Sequence, residues 1–236
     1  MNFNFFKEEA KYAISKDRNE LLIFFTLYMV LSELFTFSMQ YMRLNLFLTA
    51  MAIVFIFIMM EMLQFGLEKG SLASYRNHYF RFDTLFDGVL DHFNKTFWLL
   101  FRKNVTIFAW SLLFIIPGIV KYCQYAMVFK LIADEPDMEN SEAFETSREM
   151  MAGHKVEFLL LLIYIAFPFF LLWAALSIAI PFMGLSLIST ILFQLTIMFA
   201  IKFAFKMRLE MTMVVYYEYL MNLHKQYQSM ENHYCY

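Results

Sequence analysis

Three polar side chains lie inside long apolar runs of this chain, and they are its first candidates for chemistry. Glu33 and Lys121 are ionisable, and Gln124 follows Lys121 by about one helical turn. A charge inside a bilayer costs about 3 kcal/mol or more, so such a residue is by default a hypothesis for a functional site. We therefore predict an intramembrane polar site of Glu33, Lys121 and Gln124. Its charges either pair with each other or line a cavity for a lipid headgroup, a peptide or an ion.

Lys121 also has an ordinary interpretation. Its predicted position is one turn from the outer surface, so its long side chain can reach water by snorkelling. Glu61 forms a second candidate cluster at the inner side, with Lys202 or with the basic pair at 102–103. The competing interpretation of that cluster is ordinary interface charge. Both pairs of alternatives remain open from the sequence.

The sequence carries no motif of a familiar catalytic centre. It has no nucleotide-binding glycine loop, no nucleophile elbow and no His-Glu-x-x-His pair. Cys123 and Cys235 are too few for a disulfide framework and do not have zinc spacing. We predict that the protein is not an enzyme and needs no cofactor and no metal. The net charge of −2 gives no global field that would attract nucleic acid, so we expect no nucleic-acid partner.

The composition indicates that these residues belong to a membrane protein. Hydrophobic residues make up 61% of the 236 positions and charged residues only 17%, and the mean hydropathy is +0.53. Soluble domains have about half apolar and a quarter charged residues. A soluble fold of this length cannot bury so much apolar surface, whereas a lipid bilayer can solvate it. We therefore expect the bilayer to be the chain's first partner.

The pattern of apolar runs predicts an all-α fold, a polytopic membrane bundle of about six transmembrane helices in three hairpins. We predict a single integral membrane domain over 1–236, with an interfacial helix at 1–20, a transmembrane bundle at 21–204 and a cytoplasmic helical tail at 205–236. An amphipathic helix precedes each hairpin, at 3–18, 82–94 and 141–152. The six predicted spans are 21–40, 46–65, 97–115, 119–133, 156–178 and 185–203.

The turn of the second hairpin is predicted at Pro117 and Gly118. Residues 96–133 contain no acidic group, and as one helix they would extend about 57 Å, nearly twice the hydrocarbon core. Proline removes a backbone donor and glycine disfavours a helix interior, so we predict two passes. Whether 119–133 crosses fully or is re-entrant stays open. Pro181 and Gly184 predict a second such turn.

The distribution of basic residues supports that topology. With six passes and both termini inside, seventeen of the nineteen lysines and arginines lie in inner segments. With a single long pass at 96–133, everything after it inverts and the asymmetry is lost. The positive-inside rule therefore favours the turn at Pro117 and Gly118.

Three segments resemble a known family. They are Phe-Ile-Ile-Pro-Gly-Ile-Val-Lys-Tyr from Phe114, Tyr-Ala-Met-Val-Phe-Lys-Leu-Ile-Ala-Asp-Glu-Pro-Asp from Tyr125, and Glu-Ala-Phe-Glu-Thr-Ser-Arg-Glu-Met-Met-Ala-Gly-His-Lys from Glu142. They are similar to the DUF975 family of bacterial integral membrane proteins, found mainly in Firmicutes. The sequence departs from that family at Glu135, where asparagine is usual. The resemblance implies a multi-pass protein of the bacterial plasma membrane, and it carries over no catalytic residue.

Two functions remain in view. The first is a non-enzymatic plasma-membrane protein that binds a membrane partner, a peptide or a lipid, in envelope stress, immunity or an accessory role. The second is a transporter or permease subunit that moves a small or amphiphilic substrate, with a membrane-protein partner or a transporter ATPase. A polar cavity joining Glu33 to Lys121 would favour transport. A solid apolar bundle would favour binding.

Overall fold

The computed structural model describes residues 3–41, 46–77, 82–90, 93–179 and 187–234, and all regular structure in these ranges is helical. The all-α prediction is therefore confirmed for them. In chain order the helices are α1 (Phe3–Lys16), α2 (Arg18–Tyr41), α3 (Leu46–Asn77), a short 3-10 helix (Phe82–Phe86), α4 (Asp87–Leu90), α5 (Phe93–Leu113), α6 (Ile115–Gln124), α7 (Val128–Asp134), α8 (Asn140–Met150), α9 (Lys155–Ala179) and α10 (Leu187–Tyr234).

Three segments of the described chain are long and apolar enough to cross a membrane. They are Phe47–Arg76, Ile115–Asp134 and Lys155–Ala179, and they overlap the predicted second, fourth and fifth spans. α5 is long enough to cross, but it is not among the three because Arg102-Lys103-Asn104 lowers the hydropathy of its middle. The predicted last span, 185–203, begins outside the described residues. The described chain thus has three candidate spans where the sequence predicted six.

The chain folds back on itself at Phe114, between α5 and α6. Phe114 is extended, with φ −157° and ψ 148°. A Cβ on Gly118 would lie 2.9 Å from Ser111 Cβ and 3.0 Å from Ser111 Cα, so the absence of a side chain there lets the two helices touch. The turn was predicted at Pro117 and Gly118, but both lie in α6. Proline is tolerated in a first helical turn, where its missing N–H would have no intrahelical partner. The other predicted turn residues, Pro181 and Gly184, lie outside the described residues.

α10 is a single helix of 48 residues, about 72 Å long. The predicted boundary between bundle and tail at 204 falls inside it without a break. Residues 211–217 are all buried, and Tyr216 and Tyr217 are among the largest fully buried side chains. The segment predicted as a cytoplasmic tail therefore supplies part of the core.

The predicted amphipathic helices at 3–18 and 141–152 are observed as α1 and α8. α1 buries Phe6 and Ala10, and the Phe6 ring packs edge-on against Tyr216 and Tyr219 of α10. α8 is followed by Gly153, whose φ of +81° is the left-handed conformation that favours glycine. The segment predicted as one helix at 82–94 is instead the 3-10 helix, α4 and the start of α5.

Exposed and buried apolar side chains occupy opposite ends of the helices. Large exposed apolar residues concentrate at 47–57, 105–122 and 160–178, which we call the apolar belt. The buried core uses 62–72, 123–132, 143–151 and 211–221. An apolar surface of this extent is an association surface in water, whereas lipid solvates it. The helices thus combine an apolar belt with a packed end where most polar contacts lie.

Candidate functional site

The structure separates the three residues of the predicted polar site. Glu33 Oε1 lies 2.9 Å from Lys202 Nζ, and both side chains are about half exposed. The Lys121 ammonium lies over the rings of Trp110 and Tyr125, at 5.3 and 5.7 Å from their centroids. No ion pair joins Glu33 to Lys121 in the described part of the chain. The side-chain oxygen of Gln124 is buried there without a hydrogen-bond partner.

A different set of charged residues meets in a cavity of about 430 Å³, at the edge between the apolar belt and the packed core. We call it the mixed-charge cavity. It contains an equal number of acidic and basic side chains, so its formal charge is zero. The ionisable and polar lining residues are Tyr28, Glu61, Gln64, Glu68, Lys103, Lys130, Lys206 and Glu210.

Helical spacing brings these residues to the cavity. Glu61, Gln64 and Glu68 follow one another at intervals of three and four on α3, which places them on one face. Lys206 and Glu210 have the same relationship on α10, and their side chains are 2.9 Å apart. The cavity is therefore built mainly from one polar face of α3 and one polar turn of α10.

Gln64 makes four side-chain hydrogen bonds at the centre of the cavity wall. Its oxygen accepts hydrogen bonds from Tyr28 Oη at 3.1 Å and Lys206 Nζ at 2.6 Å. Its amide donates to Glu68 Oε1 at 3.1 Å and to Glu210 Oε1 at 2.7 Å. A single side chain thus connects α2, α3 and α10.

Lys130 of α7 places its ammonium against two carboxylates. Its side chain is 3% exposed, and Nζ lies 2.9 Å from Glu68 Oε2 and 3.9 Å from Glu210 Oε2. A charge taken out of water needs such partners, because an unpaired buried charge costs several kcal/mol. Four of the six cavity charges, on Glu68, Lys130, Lys206 and Glu210, are paired in this way.

Lys206 and Glu210, the ion pair on α10, both stay ionised because of the charges around them. Burial would raise the pKa of the Glu210 carboxyl, but the nearby Lys206 and Lys130 ammonium groups lower it well below its ordinary value. Burial would lower the pKa of the Lys206 amine, but the Glu210 carboxylate raises it above its ordinary value. Both side chains therefore stay charged over the whole neutral range.

Glu61 and Lys103 are the two cavity charges without an ion-pair partner among the described residues. Both are partly buried. The Lys103 ammonium lies 3.8 Å from the centre of the Phe129 ring, a cation–π contact that leaves its N–H donors unpaired with any carboxylate. The cavity thus presents one free carboxylate and one free ammonium group.

An apolar groove adjoins the mixed-charge cavity. Phe57 of α3 lines both, and it is 50% exposed. The groove has a volume of about 470 Å³ and runs along α5, past Val105, Ile107 and Phe108 in the apolar belt. Lys103, at the cavity wall, comes immediately before Asn104, which lines the groove. A charged compartment therefore lies next to one that suits a hydrocarbon chain.

Part of this site was predicted from the sequence. Glu61 and the 102–103 pair were predicted as one possible cluster, and Glu61 and Lys103 do line one cavity. Glu68 and Glu210 were missed because the predicted ends of the second and sixth spans cut through the two helices that carry them, and Gln64 was missed although it lies inside the predicted second span. The available signal was the spacing of polar residues at 61, 64 and 68 in an apolar helix.

No family model, curated protein or solved structure matches this chain. The resemblance to the DUF975 family therefore stays a prediction.

Proposed function

We propose that this chain is a non-enzymatic, multi-pass membrane protein that binds the headgroup of a zwitterionic amphiphile in the mixed-charge cavity. The observation that carries the proposal is the pair of free charges, Glu61 and Lys103, in a cavity whose other charges neutralise one another. A ligand with one ammonium and one anionic group would give each of these two charges an ion-pair partner.

The roles of the two residues follow from their charge. The Glu61 carboxylate accepts hydrogen bonds from the ligand's ammonium, and the Lys103 ammonium donates to its phosphate or carboxylate. Glu68, Lys130, Lys206 and Glu210 form the wall and keep their own pairs. A zwitterion adds no net charge to the cavity, so its entry does not disturb that balance.

The apolar groove favours an amphiphile over a water-soluble zwitterion. The cavity volume, about 430 Å³, lies in the range that holds small ligands. The groove beside Phe57 offers a lipid chain a path along Val105 and Phe108 into the apolar belt. Both compartments would then be used by one molecule, with its polar end at the packed core and its chain in the bilayer.

The proposal includes six passes with both termini inside the bacterial plasma membrane. It is supported by the position of the apolar belt on one end of the helices and by the concentration of basic residues in the predicted inner segments. In this arrangement the mixed-charge cavity lies near the inner headgroup layer, where a zwitterionic headgroup is available.

A non-catalytic role fits the state of the acidic residues. Glu68 and Glu210 are bound to lysines, and the lowered pKa of Glu210 makes it a poor proton acceptor. Glu61 alone has no second acid or base at hydrogen-bond distance in the described residues. The constellation suits recognition of charge better than transfer of a proton.

Transport is the second candidate, and the geometry favours it less. A polar cavity joining Glu33 to Lys121 would have favoured transport, whereas Glu33 shares a shallow pocket with Lys202 and Lys121 packs against Trp110. A role as an accessory subunit of a transporter remains compatible with a lipid-binding cavity. Co-purification of a transporter ATPase from native membranes would favour that form of the proposal.

The test is photocrosslinking of the full chain in nanodiscs that contain a photoactivatable phosphatidylethanolamine. We expect crosslinks on α3 and α5 around Phe57, and a loss of at least fivefold in Glu61→Gln and in Lys103→Met. Glu33→Gln removes a carboxylate from the separate pair with Lys202 and serves as the matched control. Equal labelling in all four proteins would overturn the proposal.

Competition experiments show whether the zwitterion is a lipid or a water-soluble molecule. Unlabelled phosphatidylethanolamine should compete, whereas phosphatidylglycerol, which has no ammonium for Glu61, should not. Free phosphoethanolamine should compete only weakly, because it cannot use the groove beside Phe57. Full competition by free phosphoethanolamine would show that the ligand is not an amphiphile.

A further inference from the structure

A second cavity of about 440 Å³ lies between α1, α9 and α10, and its charge differs from that of the mixed-charge cavity. Lys7 and Lys11 of α1 and Arg208 of α10 line it, against one acidic residue, Glu8. Glu8 lies 3.6 Å from Lys11, so this pair is already neutral. We call this cavity the basic cleft. Its excess charge is positive, from Lys7 and Arg208.

The two excess cations are held by aromatic rings of α9. The Lys7 ammonium lies 5.8 Å from the Tyr164 ring centre, and the Arg208 guanidinium lies 5.6 Å from the Phe169 ring centre. Neither has a carboxylate partner among the described residues. Cation–π contacts of this kind orient a cation while leaving its hydrogen-bond donors available.

The floor of the basic cleft is apolar. Ile165, Pro168 and Phe169 of α9 line it, together with Ile14 of α1. The exposed surface of α9 beside it, with Phe167 and Phe170, belongs to the apolar belt. Cationic groups therefore stand directly beside a surface that lipid chains would cover.

We propose that the basic cleft binds the phosphate of an anionic phospholipid, with the acyl chains against α9 beside Pro168. Lys7 and Arg208 donate to the phosphate oxygens, and the apolar floor receives the glycerol end of the chains. Basic pockets between helices on the inner side of a membrane suit anionic headgroups. The two free cations and the absence of a free carboxylate among the cleft's lining residues favour an anion over the zwitterion proposed for the other cavity.

This site has a structural consequence for α1. α1 contacts α10 through Phe6 and reaches α9 through the Lys7 contact with Tyr164 and through the hydrogen bond from Tyr164 Oη to Asn4 Oδ1 at 2.7 Å. A phosphate held between Lys7 and Arg208 would add a further connection, between α1 and α10. Anionic lipid should therefore slow the local opening of α1.

The test is amide hydrogen exchange of the full chain in nanodiscs of phosphatidylcholine with and without phosphatidylglycerol. We expect phosphatidylglycerol to slow exchange across 7–14 by about fivefold or more. The double variant Lys7→Gln/Arg208→Gln should lose that protection. The double variant Lys16→Gln/Lys225→Gln removes the same charge from exposed positions of α1 and α10 outside the cleft and should keep it.

Three results would overturn this inference. The first is equal protection in the two double variants, which would show a general charge effect. The second is full protection by inorganic phosphate in phosphatidylcholine nanodiscs, which would show a soluble-anion site. The third is loss of the effect in Glu61→Gln, which would place anionic lipid in the mixed-charge cavity.

Lys7→Arg/Arg208→Lys keeps both charges and should retain protection, which separates charge loss from misfolding.

Discussion

The Gln64 side-chain amide donates a hydrogen bond to Glu210 Oε1 at 2.7 Å and so joins α3 to α10 across 146 positions of sequence. The same amide group donates to Glu68, and its oxygen accepts from Tyr28 and Lys206. A neutral side chain thus fixes the relative positions of two carboxylates and one ammonium group.

Gln64→Leu should be strongly destabilising. Leucine has similar bulk but makes none of the four hydrogen bonds, and it leaves buried polar groups short of partners. We expect a loss of about 2–4 kcal/mol, measured by thermal or denaturant unfolding in detergent. Gln226→Leu, at an exposed position of α10, is the control and should change stability by less than about 0.5 kcal/mol. Similar losses in both variants would show that the Gln64 contacts contribute little.

Lys130→Met should be more damaging than loss of the whole ion pair. The single change leaves Glu68 and Glu210 short of positive charge in a buried place, for which we expect a loss of about 3–5 kcal/mol. Lys130→Met/Glu68→Gln removes both charges and keeps the acceptor for Gln64, so it should recover at least half of that loss. A double variant as unstable as the single one would contradict this account. Unfolding of the three proteins in one detergent gives the comparison.

Acid should destabilise the protein through Glu210. The pKa of its carboxyl is lowered in the folded state. Its contribution to the free energy of unfolding is therefore complete above the ordinary pKa of 4.5 and is lost as the pH falls through the folded-state pKa. Lys206 has a raised pKa, so its contribution is complete below 10.5 and is lost only as the pH rises through the folded value. We expect a flat stability profile between these limits.

The pH prediction has its own control. Glu210→Gln should lower the melting temperature at pH 7 and make its fall below pH 4.5 shallower than in the unchanged chain. Melting curves in a detergent whose charge does not titrate give the measurement. An unchanged acid slope in Glu210→Gln would assign the acid sensitivity to other groups.

Gly118 and Pro117 should respond differently to substitution. Gly118→Val places atoms where Ser111 stands and should cost about 1–3 kcal/mol, with partial rescue by Ser111→Gly. Pro117→Ala should change stability by less than about 1 kcal/mol, because Pro117 lies in the first turn of α6 rather than at the break. If Pro117→Ala lost more stability than Gly118→Val, the proline would determine the turn, contrary to this account.

Reporter fusions should locate the loops of the proposed six-pass topology. Fusions after residues 145 and 236 should report the inner side, and a fusion after 43 the outer side, as the positive-inside rule predicts. An outward-facing 145 would reverse the placement of everything after α5. It would also move the mixed-charge cavity away from the inner headgroup layer.

The helices themselves were predictable because apolar period and capping are local properties. α1 and α8 were predicted from their amphipathic spacing, and the glycine that follows α8, Gly153, has the left-handed conformation that is common after a last helical turn. The cap of α8 shows the limit of local pattern. Residue type alone favours Asn140 or Ser141 as the cap, whereas the cap position is Glu139 and the Asn140 amide donates to the Lys95 carbonyl. A competing hydrogen-bond partner 45 positions away cannot be predicted from the local sequence pattern.

The candidate site was harder to predict because its residues were treated as ends of elements. Glu68 and Glu210 lie beyond the predicted limits of spans two and six, where charge is ordinary. Only the continuation of α3 to Asn77 and of α10 to Tyr234 brings them into the core. The pairing of Lys202 with Glu33, and of Lys206 with Glu210, depends on how α2, α3 and α10 cross. Sequence spacing within one helix does not contain that information.

In the proposed six-pass arrangement, the unbroken length of α10 would couple the position of the mixed-charge cavity to the thickness of the surrounding membrane. Lys202 and Lys206 are one turn apart, about 6 Å along the axis, yet the first faces the half-exposed Glu33 and the second the buried Glu210. A continuous helix cannot adjust these two levels independently. In that arrangement we expect a bilayer of shorter or longer chains to tilt the whole helix or to shift it along the membrane normal. Host-lipid chain length would then move the cavity relative to the headgroups that it is proposed to bind.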